Sequence, residues 1–419
     1  MKNRSELSLP QEMTALVLAG RGFASLRFER LPVPRPGPNQ FLARVDAVYA
    51  CSSDGKLIES GRDHPLMAGW DPELWPVVIG HEGCITAVEV GQNLKNRIEV
   101  GQSFVLQPAI NVRPLNYPER YRDASLIQKI AVGYTLGGLF AEYILILEEV
   151  IETGSVIPYD PSRVPYFAAA FSEPLSCVYS SQNQVPHIYK NGADAHREVR
   201  LGLKEGGVVL VLGAGPMGIL HADLALTHRP RAVLISEPLA ERRREAEAMI
   251  GPKARAREVE FLVTSPQELP SLLSRITAGR GADDCISALG IAKVQEQSID
   301  YLAKGGIAVF FGGAKAGESL ITLDTRRIHY DSITLVGSSG GDPSDVRAVL
   351  KLLEEGEISA DGYVRRVGGL DAALELVKSV RDQSFFGKGL IYPRVRHPLF
   401  AVESWSREKE AEFLAKTSP

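Results

Sequence analysis

The sequence is poor in cysteine. Its 419 residues include only 4 cysteines, and these are widely separated, at Cys51, Cys84, Cys177 and Cys285. Such spacing argues against a disulfide framework and favours a reducing, cytoplasmic location, where a single thiol is still available as a metal ligand.

Long apolar runs and strong net charge are also missing. The longest apolar stretches, such as MTALVLAG at residues 13–20, fall far short of the roughly 20 residues that a membrane span requires. The formal net charge is only -4, and a surface without basic clusters does not attract nucleic acid. We therefore expect neither a membrane nor a nucleic acid among the partners.

The sequence does contain enough apolar material for two or three domains. Hydrophobic residues make up 44% of the chain, and a domain takes roughly 100–200 residues. Residues 1–180 consist mainly of short β-branched-rich runs that proline and glycine interrupt, which is typical of a β-rich, barrel-like domain. These runs are TALVLAG, ASLRFER, FLARVDAVYA, CITAVEV, SFVLQPA and FAEYILIL.

The pattern changes near residue 207. Apolar runs such as VVLVLGAG and AVLISEP now alternate with helical segments such as MGILHADLALT. This alternation predicts a parallel, doubly wound sheet in a second domain over residues 181–357. Residues 358–419 return to mixed strand and helix, and we assign them to the first domain and a charged C-terminal tail. The polar connection at 184–207 is predicted to have a helical middle.

The strongest motif is Gly213-x-Gly215-x-x-Gly218, which directly follows an apolar strand and opens a helix. The first glycine permits a tight turn, the second lets backbone N–H groups approach a pyrophosphate, and the third lets helix and strand pack. We assign the whole loop to dinucleotide binding: Gly213, Gly215, Pro216, Met217 and Gly218.

Glu237 ends the next predicted strand. A carboxylate there bonds the ribose hydroxyls of NAD and repels the 2′-phosphate of NADP. Arg242, Arg243 and Arg244, in the segment ERRRE, complicate this assignment, because one of them turned inward would accept that phosphate, although such a segment is more often a solvated helix face. We expect NAD as the cofactor, with NADP less favoured, and include Arg242 among the candidate cofactor residues.

Residues suited to metal or acid–base chemistry occur in three segments of the first domain, YACSSDGK, GHEG and FSEPLSC. They are Cys51, Ser53, Asp54, His81, Glu82 and Glu173. Each alone has an ordinary explanation, such as a small residue at a strand end, a turn histidine or a helix-capping acid. Together, thiolate, imidazole and carboxylate are the donors that zinc uses, and three protein ligands with one open position is the catalytic arrangement.

The order of these motifs resembles the zinc-dependent medium-chain dehydrogenase/reductases, the alcohol dehydrogenase superfamily. The motifs are C-x-[ST]-D, GHE, EP, GxGxxG and a closing GK, and they extend over nearly the whole chain. The resemblance implies an α/β protein with a GroES-like catalytic domain and a Rossmann coenzyme domain. The glutamate of EP resembles the sorbitol and other polyol dehydrogenases, and SEPLSCV and LVGSSGGDPSDVRAVLKLLEEG are similar to the longer L-sorbose-1-phosphate reductases.

Carried over to this chain, the resemblance implies Cys51, His81 and Glu173 as zinc ligands. Ser53 matches the hydroxyl that relays the proton of the alcohol. Asp54 matches the carboxylate that bonds the far nitrogen of the zinc histidine and fixes its tautomer.

The resemblance implies Glu82 either as a direct ligand or as a residue linked to zinc through water. Because a thiolate and one carboxylate already neutralise Zn²⁺, we expect Glu82 and Glu173 not to bind it tightly together. Many family members also carry a structural zinc held by four close cysteines, whereas this chain has no cysteine between Cys84 and Cys177. We therefore predict a single catalytic zinc, with Cys84 packed in the core.

The implied reaction is hydride transfer between NAD(H) and a secondary alcohol or ketone of a polyol, ketose or sugar phosphate. Ligands bind at the carboxyl ends of parallel strands, so we expect the nicotinamide against the strand ends SALG, FFGGA and VGSSGG. The candidate residues there are Leu289, Gly312, Gly337 and Ser338. For a phosphorylated substrate, Arg113, Arg120 and Arg122 are candidate phosphate ligands.

Two alternatives remain open from the sequence alone. One is a zinc-free reductase on the same fold, which would not need cysteine, histidine and glutamate in register. The other is a non-catalytic nucleotide-binding protein, which the intact Ser53 and Asp54 disfavour. Proteins of the family usually associate through edge strands of the nucleotide domain, which implies a homodimer or homotetramer.

Overall fold

The computed structural model describes residues 9–315 and 317–417. The chain forms two compact units: Met1–Glu173 together with Asp342–Pro419, and Pro174–Gly341. The boundaries predicted from the sequence, 180/181 and 357/358, lie further along the chain. The first differs because the division falls inside a helix, and the second because the residues after Gly341 pack on the first unit.

Short strands dominate the first unit before residue 160. They are β1 (Glu12–Leu18), β2 (Leu26–Pro32), β3 (Phe41–Ala50), β4 (Val77–Val78), β5 (Glu82–Val90), β6 (Ser103–Leu106), β7 (Ala109–Val112), β8 (Gln128–Ala131), β9 (Tyr143–Ile146) and β10 (Val156–Tyr159). The α-helices that begin in this unit before Glu173 are α1 (Ser52–Ser60), α2 (Glu148–Glu152) and α3 (Tyr166–Asn183). Each of the six apolar runs predicted as strands forms one.

The second unit is built on a parallel sheet. Its strands in chain order are β11 (Pro186–Tyr189), β12 (Glu198–Leu201), β13 (Val208–Leu212), β14 (Ala232–Ser236), β15 (Glu260–Thr264), β16 (Ala282–Ser287), β17 (Leu302–Phe310) and β18 (Thr334–Gly337). Its helices are α4 (Pro216–Ala225), α5 (Ala240–Ala256), α6 (Leu269–Thr277), α7 (Ala292–Ser298) and α8 (Thr325–Asp331). The strand order in this sheet is β15-β14-β13-β16-β17-β18. From β13 the chain adds β14 and β15 on one side and then β16 to β18 on the other, so the switch point of a doubly wound sheet lies between β13 and β16.

The predicted helix in the connection at 184–207 is wrong. This segment forms the antiparallel pair β11 and β12, with Pro186 opposite Leu201 and Tyr189 opposite Glu198. The sequences PHIY and EVRL alternate polar and apolar residues, and this period of two favours a strand over a helix.

The last part of the chain returns to the first unit. It contains α9 (Pro343–Glu354), β19 (Val364–Gly369), α10 (Ala373–Arg381), β20 (Lys388–Tyr392), β21 (Phe400–Ala401) and α11 (Arg407–Thr417). Strand β20 pairs with β3 and β19 and so completes the sheet β10-β6-β5-β3-β20-β19-β21. Gly389 lies opposite Ala50 in this pairing, which brings the start of β20 beside the end of β3.

Each unit has its own apolar core. Phe41, Ile85 and Phe140 are fully buried in the first, and Leu210 and Leu234 in the second. Burying such a side chain contributes about 1.5–3 kcal/mol. Cys84 packs in the interior of β5, with its Sγ 3.4 Å from a backbone carbonyl oxygen, as predicted for a core residue.

Candidate active site

Strand β3 delivers Cys51 to the start of helix α1, where this residue caps the helix. The N–H of Cys51 donates to Oδ2 of Asp54 at 2.9 Å, and the N–H of Ser53 donates to Sγ of Cys51 at 3.5 Å. A helix leaves its first backbone N–H groups unpaired, and these bonds satisfy two of the groups around the cap. They hold Cys51, Ser53 and Asp54 together on one turn.

His81 and Glu82 lie between two glycines that the backbone requires. Gly80 has a φ of 96°, and a Cβ there would meet an aromatic ring at 2.6 Å. A Cβ on Gly83 would lie 2.6 Å from the carbonyl oxygen of Ala47 on β3. Glycine at both positions therefore permits the close backbone approach that sets His81 at the entry to β5.

Asp54 orients the imidazole of His81. Oδ1 of this fully buried carboxylate lies 3.0 Å from Nδ1 of His81. A carboxylate in this position holds the proton on Nδ1 and leaves Nε2 as the metal-binding nitrogen. Nε2 lies 3.1 Å from Oγ of Ser53, and the same Oγ lies 3.0 Å from Sγ of Cys51. The second ring nitrogen and the thiol therefore face a common point.

Cys51, His81 and Glu82 form a group that fits a metal ion. Their candidate ligand atoms all lie within 4.8 Å of one another. Thiolate sulfur, imidazole nitrogen and carboxylate oxygen are the donor types of zinc. Within residues 9–315 and 317–417, this is the one group of three such side chains that could hold an ion.

Lys388 is the functional candidate that the sequence did not single out. Its ammonium forms a buried ion pair with Oε2 of Glu82, across 306 positions of sequence. Burial lowers the pKa of Lys388, but the charges of Glu82, Cys51 and Glu173 outweigh burial and raise this pKa above its ordinary value. Lys388 is therefore an ammonium at neutral pH. The closing GK motif was the only signal for it in the sequence.

Glu173 lies on helix α3 and is buried, with 8% of its surface exposed. Its charge is the last of those that raise the pKa of Lys388. The donor atoms that lie within 4.8 Å of one another come from Cys51, His81 and Glu82 and do not include Glu173. Glu173 as a zinc ligand therefore stays a prediction.

The glycine motif has the geometry that a dinucleotide loop requires. Gly213 has a φ of 102°, and a Cβ on Gly218 would lie 2.0 Å from the carbonyl oxygen of Gly213. A Cβ on Gly215, in contrast, would meet nothing within 4 Å. Gly215 caps α4, which begins at Pro216. The first and third glycines therefore serve folding, and the second leaves open space before a helix N-terminus, where anions bind.

Glu237 braces this loop from the end of β14. Its Oε2 accepts the N–H of Ala214 at 2.8 Å, and its carboxylate is almost fully buried. Each carboxylate oxygen has a further lone pair that could accept a hydrogen bond from a ribose hydroxyl. Binding of ribose by Glu237 stays a prediction. The arginine that turns inward is Arg243, which donates to the carbonyl oxygens of Glu237 and Pro238 at 2.8 and 2.7 Å. Arg242, the residue chosen from the sequence, is half-buried on α5.

The other predicted cofactor residues follow the ends of β16, β17 and β18. The side chain of Leu289 packs against Gly213, and a Cβ on Gly312 would lie 2.1 Å from the carbonyl carbon of Leu289. Gly337 ends β18. Oγ of Ser338 is buried without a hydrogen-bond partner in the described part of the chain. Because β16, β17 and β18 are parallel to β13, these residues share one edge of the sheet with the glycine loop.

Arg120 has a packing role instead of a free guanidinium. Its guanidinium carbon lies 4.3 Å from the ring centroid of Tyr117 and 5.0 Å from that of Trp70. Such cation–π contacts hold the guanidinium against the aromatic faces. Arg113 and Arg122 are exposed. The expectation that Arg120 binds a substrate phosphate is therefore not supported by its surroundings.

Comparison with known proteins identifies the family. Residues 37–154 match the alcohol dehydrogenase GroES-like domain and residues 216–355 match the zinc-binding dehydrogenase domain. Mannitol-1-phosphate 5-dehydrogenase of Aliivibrio fischeri is 31% identical over 412 residues, covering 96% of this chain and 91% of that protein. L-sorbose 1-phosphate reductase of Klebsiella pneumoniae is 27% identical over 427 residues, covering 97% and 98% of the two chains.

Among solved structures, 2R,3R-butanediol dehydrogenase of Bacillus subtilis aligns with a TM-score of 0.71 at 22% identity, covering 91% of this chain and 99% of that one. The chain belongs to the zinc-binding alcohol dehydrogenases, in the medium-chain dehydrogenase/reductase superfamily. The protein is therefore an oxidoreductase that uses zinc and a nicotinamide cofactor on a small molecule. Across the described residues, the helices all fall short of the length and apolarity needed to cross a bilayer.

Proposed function

We propose that the protein transfers hydride between NAD and a secondary alcohol of a phosphorylated polyol, or the corresponding ketone. The observation that carries this proposal is the group formed by Cys51, His81 and Glu82, with His81 oriented by Asp54. The relatives named for mannitol 1-phosphate and L-sorbose 1-phosphate align over almost the whole chain, which supports a phosphorylated polyol or ketose as the substrate.

Cys51, His81 and Glu173 would hold one zinc ion, and Glu82 lies beside them in its ion pair with Lys388. Zinc in this position supplies the Lewis acidity that stabilises an alkoxide during hydride transfer. Asp54 would hold the proton of the neutral imidazole of His81 on Nδ1, so that Nε2 is the nitrogen that faces the metal. The ammonium of Lys388 limits the negative charge of the site, which would otherwise oppose the build-up of alkoxide charge.

Ser53 would relay the proton of the alcohol: its Oγ would accept that proton as its own hydroxyl proton passes on towards the cofactor ribose and solvent. Its Oγ lies at the point that Sγ of Cys51 and Nε2 of His81 both face, at 3.0 and 3.1 Å. Burial raises the pKa of Tyr134 to about 12, although the charge of His81 and a hydrogen bond with Ser53 act to lower it. Tyr134 is therefore a neutral phenol, and it completes the wall beside the Ser53 hydroxyl.

Lys56 and His64 are the basic residues best placed for a substrate phosphate. The ring centroid of His64 lies 5.2 Å from that of Tyr134, which in turn lies 5.6 Å from that of His81. Burial, together with the positive charges of Lys56 and His81, lowers the pKa of His64. Lys56 is exposed on α1 one turn after Ser53, so its ammonium would meet a phosphate that extends from the reacting carbon.

We further infer NAD as the preferred cofactor, a single zinc, a homodimer or homotetramer, and a cytoplasmic location. The buried carboxylate of Glu237 at the end of β14 supports NAD, because it would repel a 2′-phosphate. The presence of one candidate metal group among the described residues supports a single zinc.

A substrate panel tests the proposal. The zinc-loaded enzyme is assayed by absorbance of the reduced cofactor with free and phosphorylated polyols and ketoses, each with NAD and with NADP. The expected result is a higher kcat/KM for the phosphate esters and for NAD. Equal kcat/KM for free and phosphorylated compounds would contradict the proposal that the substrate is phosphorylated.

A variant of Lys56 tests the phosphate contact. Lys56→Met should lower kcat/KM for the phosphate ester by about 10-fold or more, as expected for loss of a charge-assisted bond of about 1.5–3 kcal/mol. The value for the free polyol should stay unchanged. Lys95→Met, which removes an exposed lysine outside the candidate site, is the control and should leave both values unaltered. An equal loss for both substrates in Lys56→Met would assign Lys56 to folding or general binding.

A further inference from the structure

Glu410 is a buried carboxylate on the C-terminal helix α11, with only 5% of its surface exposed. A buried carboxylate is costly unless hydrogen bonds satisfy its oxygens. Oε2 accepts the N–H of Tyr166 at 3.0 Å, and Oε1 accepts the N–H of Phe167 at 2.8 Å and the hydroxyl of Tyr392 at 2.7 Å. Glu410 therefore joins three elements of the first unit: α11, the start of α3 and the end of β20.

The bonds from Tyr166 and Phe167 matter because these are the first residues of α3. The first N–H groups of a helix have no partner within the helix. Glu410 supplies acceptor oxygens for two of them from a distant part of the chain. It acts as a cap that fixes where α3 begins and how it is directed.

The same helix carries Glu173, about two turns beyond the cap at 3.6 residues per turn. Pro174 follows directly and lies inside the helix. Proline has no N–H and clashes with the preceding turn, so it weakens the connection between the two halves of a helix. The direction of residues 166–173 therefore depends on their own anchors more than on the rest of α3.

Two further contacts tie this anchor to the candidate metal centre. The hydroxyl of Tyr49, two positions before Cys51 on β3, donates to the carbonyl oxygen of Phe167 at 3.0 Å. Tyr392 ends the strand that begins at Lys388. Its hydroxyl also accepts the indole N–H of Trp405 at 2.8 Å, which holds it in place to donate to Glu410.

We propose that Glu410 is a positioning residue for the metal centre: it fixes the first half of α3, and with it Glu173, against the strand that carries Lys388. The C-terminal helix is thereby part of the support of the zinc site. This inference rests on the proposed function, because it requires zinc held by Cys51, His81 and Glu173.

The test is zinc affinity, measured by competition with a chromogenic chelator on the full-length protein. Glu410→Gln keeps the shape of the side chain but places an amide NH₂ where a backbone N–H or the Tyr392 hydroxyl needs an acceptor. We expect zinc to bind about 10-fold more weakly, as for other residues that orient metal ligands without binding the metal themselves. Wild-type affinity in Glu410→Gln would overturn the inference.

Phe413→Leu is the matched control, because it alters the packing of the same helix without removing a hydrogen bond to Glu410. The Phe413 ring centroid lies 5.5 Å from that of Tyr392 and 5.8 Å from that of Trp405. This variant should lose thermal stability but keep wild-type zinc affinity. If Phe413→Leu weakens zinc binding as much as Glu410→Gln at the same loss of Tm, Glu410 only stabilises the fold.

Tyr392→Phe keeps the inference testable if Glu410→Gln does not fold. It removes one hydroxyl and leaves the cap on α3, so we expect a smaller weakening of zinc binding in the same direction, and wild-type affinity would contradict the inference. Failure of the proposed function has a different signature: the wild-type protein itself would bind no zinc under these conditions.

Discussion

Replacing Glu410 with glutamine should change how stability depends on pH. Burial raises the pKa of Glu410 from 4.5 to about 7, although hydrogen bonds from Tyr392, Phe167 and Tyr166 act to lower it. Between these two pKa values the folded protein keeps the carboxyl group protonated while the unfolded chain ionises. The stabilisation from this proton is therefore complete at low pH and is lost as the pH rises through about 7.

The size of the effect follows from the two pKa values. A rise from 4.5 to about 7 is equivalent to about 3 kcal/mol at about 1.4 kcal/mol per pKa unit. Glutamine does not ionise, so the variant lacks this contribution at every pH. The stability difference, wild type minus Glu410→Gln, should therefore fall by about 2–3 kcal/mol between about pH 5 and about pH 8.

The assay is urea denaturation of both proteins in excess chelator, so that protonation of metal ligands does not enter. The two tyrosines that contact Glu410 do not titrate in this range, because burial raises the pKa of Tyr166 to about 12 and that of Tyr392 well above its ordinary value. Histidines elsewhere contribute equally to both proteins. A stability difference that stays constant, or grows, from low to high pH would refute this account of Glu410.

Three further sets of substitutions test the site. Asp54→Asn should weaken zinc binding about 10- to 100-fold in chelator competition, because the tautomer of His81 is no longer fixed; unchanged affinity would contradict that role. Gly215→Ala should keep its free energy of unfolding within about 0.5 kcal/mol but bind NAD more weakly by calorimetry. Gly218→Ala, whose Cβ would meet backbone, should instead lose about 1–3 kcal/mol of that free energy. Lys388→Met should lose about 3–5 kcal/mol of the free energy of unfolding, because it leaves Glu82 buried and unpaired. Adding Glu82→Gln to that variant should restore part of the loss. No restoration would mean that the lost ion pair is not the cause.

Much of the fold was predictable because its signals are local. The apolar runs of β13 to β18 and the glycine motif between β13 and α4 depend on residues close together in sequence. So do Cys51, Ser53 and Asp54, which share one turn of α1. Period therefore predicted the parallel sheet, whereas the roles of the candidate site residues came from the resemblance to the family and stay predictions.

The remaining features depend on residues far apart in sequence. The pair of Glu82 and Lys388 spans 306 positions and the cap of Tyr166 by Glu410 spans 244. The first contact depends on the register of β20 on β3, and the second on how α11 meets the start of α3. No local pattern specifies either. Likewise, ERRRE does not tell which arginine contacts the end of β14, and the structure shows Arg243 donating to the carbonyl oxygens of Glu237 and Pro238.

The central claim is that Cys51 and His81 hold the catalytic zinc. Metal analysis of the purified wild-type protein and of Cys51→Ser, each after dialysis against metal-free buffer, tests it most directly. The account predicts one zinc per wild-type chain, and none in a Cys51→Ser protein that is still folded. Equal zinc content in the two proteins, or a zinc-free wild-type protein that still reduces NAD with a polyol phosphate, would contradict it.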